Sequence, residues 1–399
     1  MTACPLHCRY RKKGIQMKAR QWLLLGALTL SLTAFGQNYH VGTTYTPLTQ
    51  GAGGCGWQTL YDPTLYKLPS GDLHLLTQGG NTMNSCTRID SFFGTTRNQS
   101  GGAWSAMGTS SCPEFMGGYT RCGYSPTVHG PIASPSVVQV PGDSRYFMAF
   151  SGGNADYFDG KVYWAVSNDG ISWSVYNVNP PPGETWTPVL FGKYAGDCVG
   201  DGQHPNGIGQ VQLAYENGYF YVFMSYYHYN SGALSPVVFR FDYSSAHAYG
   251  FGPSVRQVFH NGTWENNSGQ FVWSDDGYGS NGTLLANGDH VIGIYDSMNS
   301  YAFGSGDLKH DDNQGWWVRV QDWSGTVNWQ ESSSLASGVW SSPTPIGNLP
   351  STLYAWGTGL WFGSLSGSAN RMWIWMPVNN NSCSGGDGLS LLPGTLDYP

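Results

Sequence analysis

From Ser134 to Trp173 the chain reads SPSVVQVPGDSRYFMAFSGGNADYFDGKVYWAVSNDGISW, apolar runs punctuated by Gly, Asn and Asp. A β-branched run, Val137, Val138 and Val140, precedes a turn at Pro141-Gly142-Asp143-Ser144. An aromatic and aliphatic run follows from Tyr146 to Phe150, then the small group Ser151-Gly152-Gly153. A third run spans Lys161 to Val166, and after Asn168-Asp169-Gly170 a short segment surrounds Trp173. Alternation of this kind predicts one antiparallel meander of four strands.

The unit recurs. DPTLYKLPSGDLHLLTQGG starts at Asp62, GQVQLAYENGYFYVFMSYY at Gly209, SNGTLLANGDHVIGIYDSM at Ser280, and a weaker copy, GTGLWFGSLSGSANRMWIWMP, at Gly357. With the copy at Ser134, the starts lie 71 to 77 residues apart. A small sheet cannot bury both of its faces alone, so repeated meanders must stack. The pattern predicts an all-β fold, a five-bladed β-propeller of four-stranded antiparallel blades. A β-sandwich with coincidental hairpins fits the regular spacing less well. The expected lead strands are Thr64–Lys67, Ser136–Val140, Val211–Tyr215, Thr283–Leu285 and Gly359–Phe362. Residues 38–50 should supply a strand that completes the last blade. Residues 299–317 read as an insertion in the fourth blade, carrying Asp307, His310, Asp311 and Asp312.

Residues 1–36 hold six of the 18 Lys and Arg and no acid. Lys18 and Arg20 precede the apolar run from Trp22 to Phe35, and Ala34-Phe35-Gly36 offers small residues for cleavage before Gln37. This reads as a secretory signal peptide behind a short extension, with Met17 the expected start, and not as a membrane span. The expectation is a secreted or periplasmic protein whose single domain covers residues 37–399. That domain keeps 12 basic against 25 acidic residues. The balance excludes nucleic acid and anionic membranes as natural partners. A charged fraction of 11% beside 15% aromatics suits a turn-rich exported protein, and suits carbohydrate, whose ring faces stack on aromatic side chains. A monomer is expected.

Six cysteines follow the leader: Cys55, Cys86, Cys112, Cys122, Cys198 and Cys383. An even number in an exported chain points to disulfides. Cys112 and Cys122 bracket a short loop and are the first candidate pair. Cys55 and Cys86 flank the first hairpin. No Cys/His spacing suggests zinc, and no cofactor is expected. Asp197, Asp201 and His204 offer donors for a structural calcium ion, without matching a defined loop motif. SNDGISW is similar to the Asp box of sialidases, one residue shorter, and Asp169 is expected to staple its own turn. There is no G-x-S-x-G elbow and no phosphate loop.

Tyr61-Asp62-Pro63 at the first blade and Ser134-Pro135-Ser136-Val137-Val138 at the second resemble the blade openings of the five-bladed propeller glycosidases, the arabinanase, xylosidase and fructosidase-like superfamily. Gly207-Ile208-Gly209-Gln210 stands where the third blade of that group usually supplies a glutamate, and Ser134 stands where the second supplies an aspartate. The resemblance implies a propeller with an axial pocket and Asp62 as base or nucleophile. Hydrolysis of a glycosidic bond needs two carboxyl groups. The candidates for the second are Asp201, Asp197 and Asp276, in loops leading toward the third and fourth blades. Ser134, Gln210, His129, His204 and Asn281 are the candidate substrate-binding residues. The leading expectation is a glycoside hydrolase-like protein acting on poly- or oligosaccharide. The rival is a lectin-like propeller that kept the pocket and lost the acids. Two weaker alternatives are a sialidase-like enzyme, for which the arginines that a sialic acid carboxylate requires are few and scattered after the leader, and a polysaccharide lyase using His129 or His204 beside a tyrosine.

Overall fold

A computed structural model describes residues 39–41, 59–80, 87–88, 90–97, 105–106, 115–116, 119–120, 132–152, 161–179, 186–187, 189–191, 207–228, 233–244, 256–260, 262–266, 271–273, 290–292, 305–323, 326–349, 357–363, 371–379 and 389–396. The leader and all six of the cysteines discussed above lie outside the described residues. None of the described helices is long and apolar enough to cross a membrane.

The fold is all-β. Five sheets of four or five strands carry it, with two small strand pairs besides, Phe271–Trp273 with His290–Ile292 and Thr87–Arg88 with Tyr119–Thr120. The first sheet is led by Thr59–Lys67 and continues through Leu73–Gly80 and Asp90–Arg97. The second is led by Ile132–Gln139, followed by Tyr146–Gly152 and Lys161–Ser167. The third is led by Gly207–Glu216, with Tyr219–His228 and Ala233–Asp242 beside it. The fourth is led by Ser305–Asp311, with Trp316–Trp323 and Thr326–Ser332 following. The fifth is led by Gly359–Gly363, followed by Arg371–Asn379 and Leu389–Leu396. Tyr39–Val41, from the other end of the chain, completes this last sheet by pairing with Leu396, Thr395 and Gly394. That was the closure expected of the stretch after the leader.

The fourth sheet corrects the repeat pattern. Its lead strand is not Thr283–Leu285, which lies outside the described residues, but Ser305–Asp311, inside the supposed insertion. His290–Ile292, from the copy that suggested a blade, pairs in parallel with Phe271–Trp273. The true hairpin turn is Asp312 to Gly315, with Gly315 in the left-handed region.

Apolar side chains fill the space between successive sheets. Between the first and second, Tyr66, Leu68 and Leu76 pack on Val137, Tyr146, Met148 and Phe150. Between the second and third, Phe147, Val162 and Trp164 meet Leu213, Phe220, Val222 and Phe241. The third meets the fourth through Tyr221, Phe223, Phe259, Leu308 and Trp317. The fourth meets the fifth through Val318, Val320, Trp329 and Leu360. Lead strands lie against one another in the order first, second, third, fourth, fifth and back to first, while no described ladder joins one of these five sheets to the next. Each sheet therefore buries both faces only by having a neighbour on each side.

The turns follow their residues. Asn217-Gly218 makes a two-residue hairpin between Glu216 and Tyr219, both central residues having positive φ, 49° and 87°, as a type I′ turn requires. Asp169 staples the SNDGISW turn as expected: its Oδ1 accepts from Ile171 N at 2.8 Å and Ser172 N at 2.7 Å. Burial pushes the Asp169 carboxyl up, but these N–H donors and the Ser167 hydroxyl outweigh it and hold the pKa at about 2. The Gly170 carbonyl accepts from Tyr66 Oη at 2.8 Å, locking the turn to the first sheet.

Glu216 ties the third sheet to the fourth. Its Oε1 accepts from Trp317 Nε1 at 2.7 Å and Leu335 N at 3.3 Å; its Oε2 accepts from Ser334 Oγ at 3.0 Å and Ala336 N at 3.3 Å. Replacing it with alanine strands several donors at once. Glu216→Ala is expected to lower unfolding free energy by about 1–3 kcal/mol, read from urea melts, with Glu216→Gln recovering part of the loss.

Candidate active site

Three lead strands carry a bulge at the same place. The ladder register slips between Tyr61 and Thr64, around Ser134-Pro135, and between Gly209 and Gln212. Each bulge sets two residues against one on the partner strand and turns the chain sharply. The residues at the bend are Asp62, Ser134 and Gln210. Asp62 and Ser134 both take left-handed backbone, φ 49° and 50°, unusual for non-glycine residues. Pro63 and Pro135 cannot donate to a ladder, which leaves the strands free to bend there, and aspartate tolerates positive φ better than most residues.

Two residues past the first and second bends stands a side chain that braces the next sheet. Thr64 Oγ1 accepts from Val137 N at 3.4 Å. Ser136 Oγ accepts from Leu213 N at 2.8 Å. In the fourth sheet the brace is a carboxylate: Asp307 Oδ2 accepts from Leu360 N at 3.0 Å. The same offset puts Ser305 at the bend position of the fourth lead strand, Gly359 at the brace position of the fifth, and Gly357 at its bend, with φ 82°. By this offset Asp62, Ser134, Gln210, Ser305 and Gly357 hold equivalent positions on the five lead strands, and Asp62 and Ser134 open on a common pocket.

Asp62 is gripped from both sides. Ser134 Oγ donates to its Oδ2 at 2.8 Å. Gly357 lies so close that a Cβ there would sit 2.1 Å from Asp62 Oδ1 and 2.7 Å from Asp62 Cα. Asp62, Ser134, Pro135, Ser136, Val211, Gly306 and Asp307 line one pocket with Pro63. Asp62 is half-buried. Burial raises its carboxyl to about pKa 6, against the downward pull of the Ser134 hydroxyl. A group at that value exchanges protons near neutrality, which acid–base chemistry requires.

A stability consequence follows. The folded-state pKa of Asp62 lies above that of an unfolded aspartate, so the favourable contribution of the protonated form is complete below about pH 4 and is lost as pH rises through about 6. At neutral pH the ionised side chain weakens the fold. Asp62→Asn is expected to stabilise the protein by about 1–2 kcal/mol at neutral pH, and the difference should close on acidification to about pH 4. Urea melts of both proteins across that range read it directly.

Asp307 was read from sequence only as part of an insertion, and is the pocket's second carboxylate. It is buried, 2% exposed. Its Oδ1 accepts from Leu308 N at 2.9 Å and lies 3.4 Å from Lys309 Nζ. Burial raises its pKa, opposed by Lys309 and the two backbone N–H groups. The reason given for Asp276, that it leads into the fourth lead strand, falls with the reassignment of that strand, and Asp307 takes the place at the pocket. Asp197, Asp201, Asp276, His129, His204 and Asn281 lie outside the described residues, as does the side chain of Gln210.

No protein-family model and no curated protein matches the chain. Solved structures do. Zg3597, a family 117 glycoside hydrolase from the marine bacterium Zobellia galactanivorans, superposes with a TM-score of 0.52 at 11% identity, covering 91% of this chain and 90% of that one. The catalytic domain of the Coprinopsis cinerea GH62 alpha-L-arabinofuranosidase gives 0.49 at 12% identity, covering 90% and 97%. A GH43_1 enzyme from Xanthomonas citri complexed with xylose gives 0.46 at 11%, covering 89% and 91%. The likeness to the Zobellia enzyme shows a shared fold; identity this low says nothing of substrate.

Proposed function

We propose that this chain is an exported five-bladed β-propeller acting on glycosidic bonds, with Asp62 as base or nucleophile in the axial pocket. The observation that carries the reading is the setting of Asp62: a carboxyl at a left-handed bend on the lead strand, hydrogen-bonded by Ser134 and titrating near neutrality. The circuit of lead strands supports the propeller, and the fold shared with a glycoside hydrolase supports the class of reaction. The basic residues and apolar run of the leader support export.

Two steps are required of the site. A proton must reach the leaving oxygen, and Asp62 must attack the anomeric carbon or deprotonate water. Gln210, at the third bend, is an amide and supplies no proton. The proton donor is then Asp201 or Asp197, both in the stretch that runs directly into the third lead strand at Gly207. Ser134, Gln210, His129, His204 and Asn281 bind sugar hydroxyls. The experiment is a panel of oligosaccharides and aryl glycosides incubated with purified protein, products being read by chromatography. Turnover of one member supports the enzyme.

A second reading rests on a specific observation. Of the five bend positions, Asp62 alone is a carboxylate; the others are Ser134, Gln210, Ser305 and Gly357. A lectin-like propeller fits this depletion. It predicts saturable oligosaccharide binding with no cleavage across the same panel.

A further inference from the structure

Asp307 and Lys309 stand two apart on the fourth lead strand, and so share a face. Leu308 between them points the other way, into the core against the third sheet. Among the described residues, three groups approach Asp307, and all three are donors: Leu308 N, Leu360 N and the Lys309 ammonium. Hydrogen bonds donated to a carboxylate, and a cation beside it, favour its ionised form. Lys309 has a second partner. Its Nζ donates to Thr64 Oγ1 at 3.4 Å, on the first lead strand two residues after Asp62. Thr64 is buried, and the side chain of Lys309 is 16% exposed.

We propose that Lys309 is a positioning residue, which holds Asp307 as a fixed anion at the pocket and ties the fourth lead strand to the first, two residues from Asp62. Asp307 occupies the brace position held by Thr64 and Ser136 in other sheets, where the side chain's task is to accept a neighbour's backbone N–H. A carboxylate does this in the fourth sheet because the ammonium beside it offsets the cost of burying its charge. Burial raises the Asp307 pKa, and Lys309 and the two backbone N–H groups oppose it; for Lys309 to act so, that opposition must keep Asp307 charged at a pH where Asp62 takes up its proton. Among the described residues, the charged group against Asp307 is Lys309 on its own strand, Asp62 on the first lead strand lines the same pocket, and the fifth lead strand offers a backbone N–H. The inference deepens the reading of the pocket as an acid–base site, but its test needs no turnover.

The test is carboxyl titration by 13C NMR of aspartate-labelled full-length protein, with Asp62→Asn and Asp307→Asn spectra assigning the two signals. In the wild type, acidification from pH 8 should protonate Asp62 before Asp307. In Lys309→Met the Asp307 transition should move up by about one to three pH units, the size of effect a neighbouring opposite charge exerts. Lys309→Arg should restore it. Asp307 titrating ahead of Asp62 in the wild type overturns the proposal even if Lys309→Met does not fold, as does an unmoved Asp307 in a folded Lys309→Met. Catalytic inactivity of all these proteins, with the titrations as expected, would count against the hydrolase reading and leave the role of Lys309 standing.

Discussion

Asp62→Asn is expected to lower kcat on a cleaved substrate by about 10²–10⁴-fold, the usual contribution of a positioned acid–base group. Affinity for oligosaccharide should change little. The amide is isosteric, still accepts from Ser134 Oγ through its oxygen, and fits the left-handed backbone that asparagine tolerates as well as aspartate does. Only the charge and its proton are removed. The same substitution should stabilise the fold at neutral pH, so a fall in kcat cannot be blamed on unfolding. That pairing, lost rate with gained stability, is the signature of a side chain kept for chemistry at a cost to the fold. Unchanged kcat in Asp62→Asn would remove Asp62 from the mechanism.

Gly357→Ala is expected to be costly on two counts. A Cβ at 2.1 Å from Asp62 Oδ1 and 2.7 Å from Asp62 Cα meets backbone, which cannot swing aside as a long side chain could. The residue also sits at φ 82°, where an L side chain is strained. Together these should lower unfolding free energy by about 2–4 kcal/mol and, in the fraction that folds, displace Asp62 enough to cut kcat about 10²-fold. Gly142→Ala is the control. Gly142 has nearly the same φ, 84°, but a Cβ there meets nothing within 4 Å, so only the backbone penalty of about 1 kcal/mol applies. Urea melts of the two variants separate crowding at Asp62 from glycine's conformational freedom. Equal losses would show that Gly357 does not shape the site.

Much of this was legible in the sequence because the same physics recurs in each sheet. Asp62-Pro63 and Ser134-Pro135 mark bends, and the alternating runs after them must bury two faces, so four lead strands fell where the pattern put them. The fourth did not. SGDLKHD offers a single apolar residue, Leu308, because its other face lines the pocket and carries Asp307 and Lys309. A strand that turns charge inward lacks the alternation that reveals strands. The stretch from Ser280 imitated the pattern, with its own apolar runs around an Asn-Gly-Asp turn signal. Gly357 was missed for a different reason: a glycine's role here is the space it leaves for Asp62, which no local pattern records.

The most direct measurement is a crystal structure of Asp62→Asn soaked with an oligosaccharide that the wild type cleaves. The account predicts a sugar ring at the pocket lined by residues 62, 134 and 307, with its anomeric carbon beside the residue 62 side chain. A sugar bound elsewhere on the protein, with this pocket empty, would contradict it.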